Sequence, residues 1–211
     1  MKKQLHPALF LVFCMLGVNT FSQTVLWAKK GSSEGFENGN AVVADDSGNV
    51  YVTGQIEFTT VFDNHSLTSY GQHDIFVAKY GPDGVIKWIR HAGGPDGDIG
   101  LGIGIDDQHN VYITGEIEQT VRFSNSITLT SSGGNDVFVA KYDANGNAVW
   151  AKKFGSNPSS DKGRGMAVSR SGNVYVTGNF FGTVNVGSTT LSSSGGSEIF
   201  IVKYDSNGNV V

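Results

Sequence analysis

Apolar residues in this chain arrive in short bursts, each closed off by Gly, Asn, Asp or Ser. No stretch between them has the i, i+3, i+4 spacing of an amphipathic helix. Bursts of this length bounded by turn residues predict β-strands, and those apolar on both faces predict sheets packed between other sheets. Four bursts recur as a set. The first is small and glycine-rich: "GNAVVAD" at 39–45, "GLGIGID" at 100–106 and "GRGMAVS" at 163–169. The second is "SGNVYVTG" at 47–54, repeated letter for letter at 171–178 and as "QHNVYITG" at 108–115. The third is "DIFVAKY" at 74–80, "DVFVAKY" at 136–142 and "EIFIVKY" at 198–204. The fourth is "VIKWIRHA" at 85–92 and "AVWAKKFG" at 148–155, with an early copy, "VLWAKKG", at 25–31.

Aligning the second burst brings Tyr51, Tyr112 and Tyr175 into register, together with Trp27, Trp88 and Trp150, and Lys79, Lys141 and Lys203. The lysines step by 62 and 62 residues, a fixed period that signals a repeat architecture. "DDSGN" and "SRSGN" join first to second strands, and "GPDG" and "DANGN" join third to fourth, with Gly or Asn where positive φ is needed. Residues 59–73, 120–134 and 183–197 alternate as an extra hairpin, which lengthens the period. Four antiparallel strands at constant spacing predict an all-β fold, a β-propeller of four-stranded blades.

The combination "GNVYVTG … DIFVAKYD … NGN.VW" resembles the bacterial SBBP β-propeller repeat and, more distantly, NHL-type repeats. The resemblance covers residues 24–211. It implies an exported bacterial propeller with no general enzymatic assignment. The expected organisation is a signal peptide at 1–22, a lone outer strand and linker at 23–38, and blades at 39–92, 93–155 and 156–211. The last lacks its fourth strand. Three blades fall short of a closed ring. The arc then implies a fragment, a truncated gene or self-association, so further blades or a second copy are expected partners.

The first residues are of different material. "MKK" is followed by the apolar "ALFLVFCMLGV" and the polar "NTFS", the layout of a secretory signal cleaved after Ser22 or Gln23. The apolar stretch is too short to span a bilayer. Cys14, the single cysteine, lies within it, and Phe13 before it argues against lipid attachment. The exported chain is therefore expected to be cysteine-free and more acidic than the net charge of −4 of the whole. No basic patch is present, which excludes nucleic acid as a partner class.

Candidate chemistry is sparse. The equivalent tryptophans read as packing between blades, and the lysines as stems laid along the sheet. "GLGIGID" contains G-x-G-x-G but opens no helix. "DANGN" and "DSNGN" have the residue types of a calcium loop without its distant Glu. Ser169 replaces Asp45 and Asp106, so this position is no shared ligand. His65, His73, His91 and His109 fall at unrelated repeat positions, and no cofactor or metal site is expected. The inter-blade links "SSEGFEN", "GPDGD" and "SNPSSDK" vary, and they bring Glu34, Glu37, Asp96, Asp98 and Asp161 to one rim. Variable loops on a rigid frame are where binding residues sit. The expected function is non-catalytic binding of a protein or glycan. The alternatives are a metal-dependent lyase or hydrolase fragment and a structural spacer.

Overall fold

The computed structural model describes residues 26–211, and every regular element in that span is a strand. The signal peptide expected at 1–22 lies outside the described residues. After a two-residue stub, β1 (Gly31–Ser32), the first repeat forms β2 (Asn38–Ala44), β3 (Val50–Ile56), β4 (Thr59–Phe62), β5 (His65–Thr68), β6 (Asp74–Tyr80) and β7 (Ile86–Ala92). β2, β3, β6 and β7 make one antiparallel sheet in that order, and β4–β5 is the inserted hairpin. The second repeat copies this plan with β8 (Ile99–Ile105), β9 (Val111–Ile117), β10 (Thr120–Ser124), β11 (Ile127–Thr130), β12 (Asp136–Tyr142) and β13 (Ala148–Phe154). The third has β14 (Lys162–Val168), β15 (Val174–Phe180), β16 (Thr183–Val186), β17 (Thr189–Ser192) and β18 (Glu198–Tyr204), with β14, β15 and β18 in a three-stranded sheet.

Three letters of the repeated phrase, the Tyr, the Thr and the closing Gly, have identifiable structural tasks. In β3 the Thr53 hydroxyl donates to the Phe76 carbonyl at 2.8 Å, and Thr114 and Thr177 do the same to Phe138 and Phe200. Tyr51 donates its hydroxyl to the Asp45 carboxylate at 3.0 Å, as Tyr112 does to Asp106. The glycine that closes the phrase faces a bulge in the first strand. A Cβ at Gly54, Gly115 or Gly178 would collide with the carbonyl oxygen of Asn38, Ile99 or Lys162. No side chain fits there, so the phrase always ends in Gly.

The sheets stack in chain order. β8 lies over β2, β3 and β6, and β14 lies over β8, β9 and β12. One core, with Tyr51, Ile75, Val77, Ile103, Ile113 and Phe138, fills the first junction. A second, with Tyr112, Val137, Val139, Val176, Phe180 and Phe200, fills the next. The outer tryptophans stitch neighbours together. Trp88 on β7 donates its indole N–H to Ala144 O at 3.0 Å, and Trp150 on β13 donates to Ser206 O at 3.1 Å.

One expectation needs correcting. Residues 26–30 around Trp27 are not a strand, because no neighbouring backbone among the described residues offers them a ladder. Pairing begins only at β1, against β4. The side chain nevertheless takes the place of its equivalents. Trp27 stacks on Tyr80 at 6.0 Å and donates to Pro82 O at 3.1 Å. Residues 23–25 lie outside the described span.

Candidate functional site

The strands β2, β8 and β14 lie side by side, and the turns that follow them meet at one end of the stack. They enclose a cleft of about 480 Å³ lined by Asp45, Asp46, Asp106, Asp107, His109 and Arg170 over a floor of Ala44, Ile105 and Val168.

Two of these carboxylates are structural. Asp45 accepts from the backbone N–H of Ser47 and Asn49, from the Asn49 amide and from Tyr51. Burial works against its charge, yet these hydrogen bonds hold the Asp45 carboxyl below the usual carboxylate range. Asp106 repeats the arrangement with Gln108, Asn110 and Tyr112. In the third turn the Ser169 hydroxyl accepts from the Asn173 N–H and shares a hydrogen bond with the Ser171 hydroxyl, and it reaches neither the Asn173 amide nor Tyr175. The Asp-to-Ser difference in the sequence is therefore a difference in turn closure.

The next positions along each turn are open. Asp46, Asp107 and Arg170 are exposed, and the Asp107 N–H donates to Arg170 O at 3.1 Å across the second junction. His109 is the irregular member. It takes φ +59° where its equivalents, Gly48 and Gly172, take +79° and +81°. The left-handed region costs a non-glycine residue about 1 kcal/mol or more. In return its Nδ1 lies 3.2 Å from Asp45 Oδ2 on the neighbouring repeat. The cleft thus combines carboxylates, an imidazole and a guanidinium, a set able to donate and accept hydrogen bonds.

The five link acids are not gathered into one open rim. Asp98 is fully buried. Its Oδ2 accepts from Gly94 N–H and its Oδ1 from Glu118 N–H, both at 2.9 Å. Asp161, equally buried, accepts from the N–H and hydroxyl of Ser156 and from Phe181 N–H. Both carboxylates are consumed in closing the link against its own sheet, since those N–H groups have no strand partner. Glu37 accepts from the Ser33 hydroxyl and N–H. Glu34 is exposed, and Asp96 is half-buried.

Near Asp98 lies a second buried acid. Asp74 accepts from Tyr70 N–H at 2.9 Å, and His91 Nε2 stands 3.9 Å from it. Burial pushes the Asp74 carboxyl up to about 6. Burial pushes Asp98 up to about 7, with Asp74 and Asp96 adding to the effect. Burial and the nearby Arg122 charge lower the His91 imidazole. At the equivalent place in the second repeat, Lys153 Nζ sits 2.7 Å from Asp136.

The remaining repeated residues are bound into the sheets. Lys79, Lys141 and Lys203 each pair across the ladder with Tyr51, Tyr112 and Tyr175, and lie 5.0, 5.3 and 6.0 Å from those rings. In "DANGN" and "DSNGN" the Asp143 and Asp205 carboxylates accept from the asparagines of their own turns. Among the described residues no group of three or more His, Cys, Asp and Glu is placed to hold a metal.

Residues 149–179 match the β-propeller repeat SBBP. The match runs from β13 of the second sheet into β15 of the third. The chain is 28% identical over 155 residues to an uncharacterized WD repeat-containing protein, L264, of Acanthamoeba polyphaga mimivirus, covering 66% of this chain and 11% of that protein. It is 25% identical over 142 residues to the regulatory protein FlaEY of Caulobacter vibrioides, covering 66% of this chain and 15% of that one. The chain thus spans a small part of the length of either relative. Among the described residues no helix is long and apolar enough to cross a membrane.

Proposed function

We propose that this chain, which carries the SBBP β-propeller repeat, is an exported, non-catalytic module whose three sheets are consecutive blades of an open arc. In this reading it binds a protein or glycan by surface complementarity, with no bond made or broken. The observation that carries it is the contrast within the cleft. The sheets are stitched alike, yet the three converging turns present Asp46, then Asp107 and His109, then Arg170. Chemical variety in one concavity of a repeated frame is what recognition of a polar ligand needs.

The binding surface is accordingly placed at the inner turns. Among the link acids, Glu34 and Asp96 remain candidate contacts on the opposite loops, whereas Asp98 and Asp161 hold those loops in shape.

Binding of the purified chain to a glycan array tests this reading. The expected result is a bound oligosaccharide that the Asp107→Asn, Arg170→Ala double variant no longer retains, at unchanged melting temperature. Retention by the double variant, or no binding to any glycan or cell-surface protein fraction, overturns it. Export is tested by N-terminal sequencing of secreted material. Cleavage after Ser22 or Gln23 is expected, and an exported chain that still begins at Met1 counts against it.

A further inference from the structure

The inserted hairpins carry a pair of facing positions that two of the repeats treat differently. On β10–β11 Arg122 stands directly opposite Thr128, and on β16–β17 Asn185 stands opposite Thr190. The later pair satisfies itself, because the Thr190 hydroxyl donates to Asn185 Oδ1 at 2.8 Å. The earlier pair does not. Among the described residues neither the Arg122 guanidinium nor the Thr128 hydroxyl makes a hydrogen bond, and Arg122 enters no ion pair.

A hollow opens beside this pair. Arg122 N–H donates to Gly93 O at 3.0 Å and Gly93 N–H to Arg122 O at 3.3 Å, which ties the hairpin to the link between β7 and β8. The hollow, of about 390 Å³, is lined by Arg122 and Thr128 of the hairpin, by Tyr70 before β6, and by Gly94 and Pro95 of the link. The guanidinium lies 5.2 Å from the Tyr70 ring, which lies 4.6 Å from the His91 imidazole. Stacking of this kind holds an arginine in place without using its N–H donors. Tyr70 is 53% exposed. The second junction closes the same ground plan on itself. Ser132, Lys153 and Asn185 stand there in place of Tyr70, His91 and Arg122. Lys153 Nζ donates to the Asp136 carboxylate and the Ser132 hydroxyl, whereas His91 Nε2 has no hydrogen-bond partner. The first junction thus leaves open, in one hollow, polar groups that its counterpart uses internally.

We propose that this hollow binds a carboxylated sugar, with the Arg122 fork on the carboxylate and the Thr128 and Tyr70 hydroxyls on the hydroxyls of the ring. A guanidinium presents two parallel N–H donors that match the two oxygens of a carboxylate. The same link carries Asp96 and Asp98, with Asp74 close to Asp98. One cation among those acids suits a monoanion better than a dianionic phosphate. The flanking hydroxyls, and a hollow wider than a carboxylate alone needs, call for a polyhydroxylated ring that carries the acid. The site follows β7, at the opposite end of the stack from the inner-turn cleft that follows β2. It does not depend on what that cleft binds.

Isothermal titration calorimetry of the purified chain tests the proposal with trigalacturonate, galactotriose and galactotriose sulfated on each ring. Trigalacturonate should bind with an affinity that falls as salt rises, and galactotriose should bind about tenfold more weakly or less. Arg122→Gln should weaken trigalacturonate binding by about tenfold or more, and Thr128→Val by about threefold. Both side chains are exposed, so both variants should keep the native melting temperature. A native chain that does not bind trigalacturonate overturns the proposal, as does one that binds galactotriose equally well. A preference for the sulfated trimer also overturns it, since the hollow would then be selecting a sulfate. Trigalacturonate binding that survives Arg122→Gln does so too, because the anion would be held elsewhere, as at Arg170. An oligosaccharide lost with Arg122→Gln reports this hollow, and one lost with the Asp107→Asn, Arg170→Ala double variant reports the inner-turn cleft.

Discussion

The first and second junctions between sheets share one geometry and differ in charge. Each is closed by an indole N–H donated to the next repeat, from Trp88 and from Trp150. Each link is stapled by a fully buried aspartate, Asp98 and Asp161. Beside the first staple, however, Asp74 faces an imidazole at 3.9 Å, whereas beside the second Asp136 faces the Lys153 ammonium at 2.7 Å. The repeat copies shape more faithfully than electrostatics. Shape is constrained by packing against two neighbours, while a buried acid can be managed by neutralisation or by pairing.

Removing the stitches should show the largest effect. Trp88 is 8% exposed, and Trp88→Ala should cost about 3–5 kcal/mol in urea unfolding. Trp150 is less buried, so Trp150→Ala should cost less. Equal losses would mean that the junctions are not distinguishable by packing.

Next in size is the pH dependence. Asp74 and Asp98 have carboxyls raised to about 6 and about 7, so from about pH 4 up to those values the folded state binds more protons than the unfolded. Stability should fall as pH climbs through that window, by up to a few kcal/mol. His91 is lowered and acts in the opposite sense, so it offsets part of the fall below its usual value. Asp74→Asn should flatten the decline and raise stability at pH 7.5. A chain whose stability rises monotonically from pH 4 to 7.5 would contradict the assignment.

The pairing at the second junction should contribute somewhat less. Lys153→Ala leaves Asp136 buried without its cation, and about 2 kcal/mol should be lost at pH 7 after allowance for the partly exposed lysine. His91→Ala should cost about half as much, because its partner Asp74 is already prone to neutralise. The smallest effect is expected at the inner turn. His109→Gly should stabilise the chain by about 1 kcal/mol by relieving the left-handed backbone, and no gain would indicate that the Asp45 contact offsets the strain.

The strands, turns and inserted hairpins were legible in the sequence because they are set locally. A burst of β-branched residues and a Gly–Asn turn need no knowledge of the rest of the chain. The link acids were not legible in that way. An aspartate among Gly, Pro and Ser reads as solvated, and whether its two oxygens meet N–H groups depends on a segment further along. The signal that was available is a spacing: Asp98 to Glu118 and Asp161 to Phe181 are each separated by 20 residues. The cleft is hidden in the sequence for a related reason. Its turns are short and repeated, which suggests pure geometry, and the clue was a single letter, His109 in a glycine position. The strand expected around Trp27 failed because a strand is a property of two segments, and the sequence of one cannot supply the other.

The span matched by the repeat family begins in one sheet and ends in the next, so the unit that recurs in sequence is not the unit that folds as a sheet. Such an offset has a consequence for how an array of this kind grows. A copied 62-residue period that starts where this match starts carries the outer tryptophan strand of one sheet together with the other three strands of the following one, which is both sides of a junction. Duplication by unequal recombination would thus insert a ready-made seam, and an added copy would meet neighbours for which its edges are already matched. Length becomes a freely heritable variable, and the inner turns are left as the positions where copies can diverge.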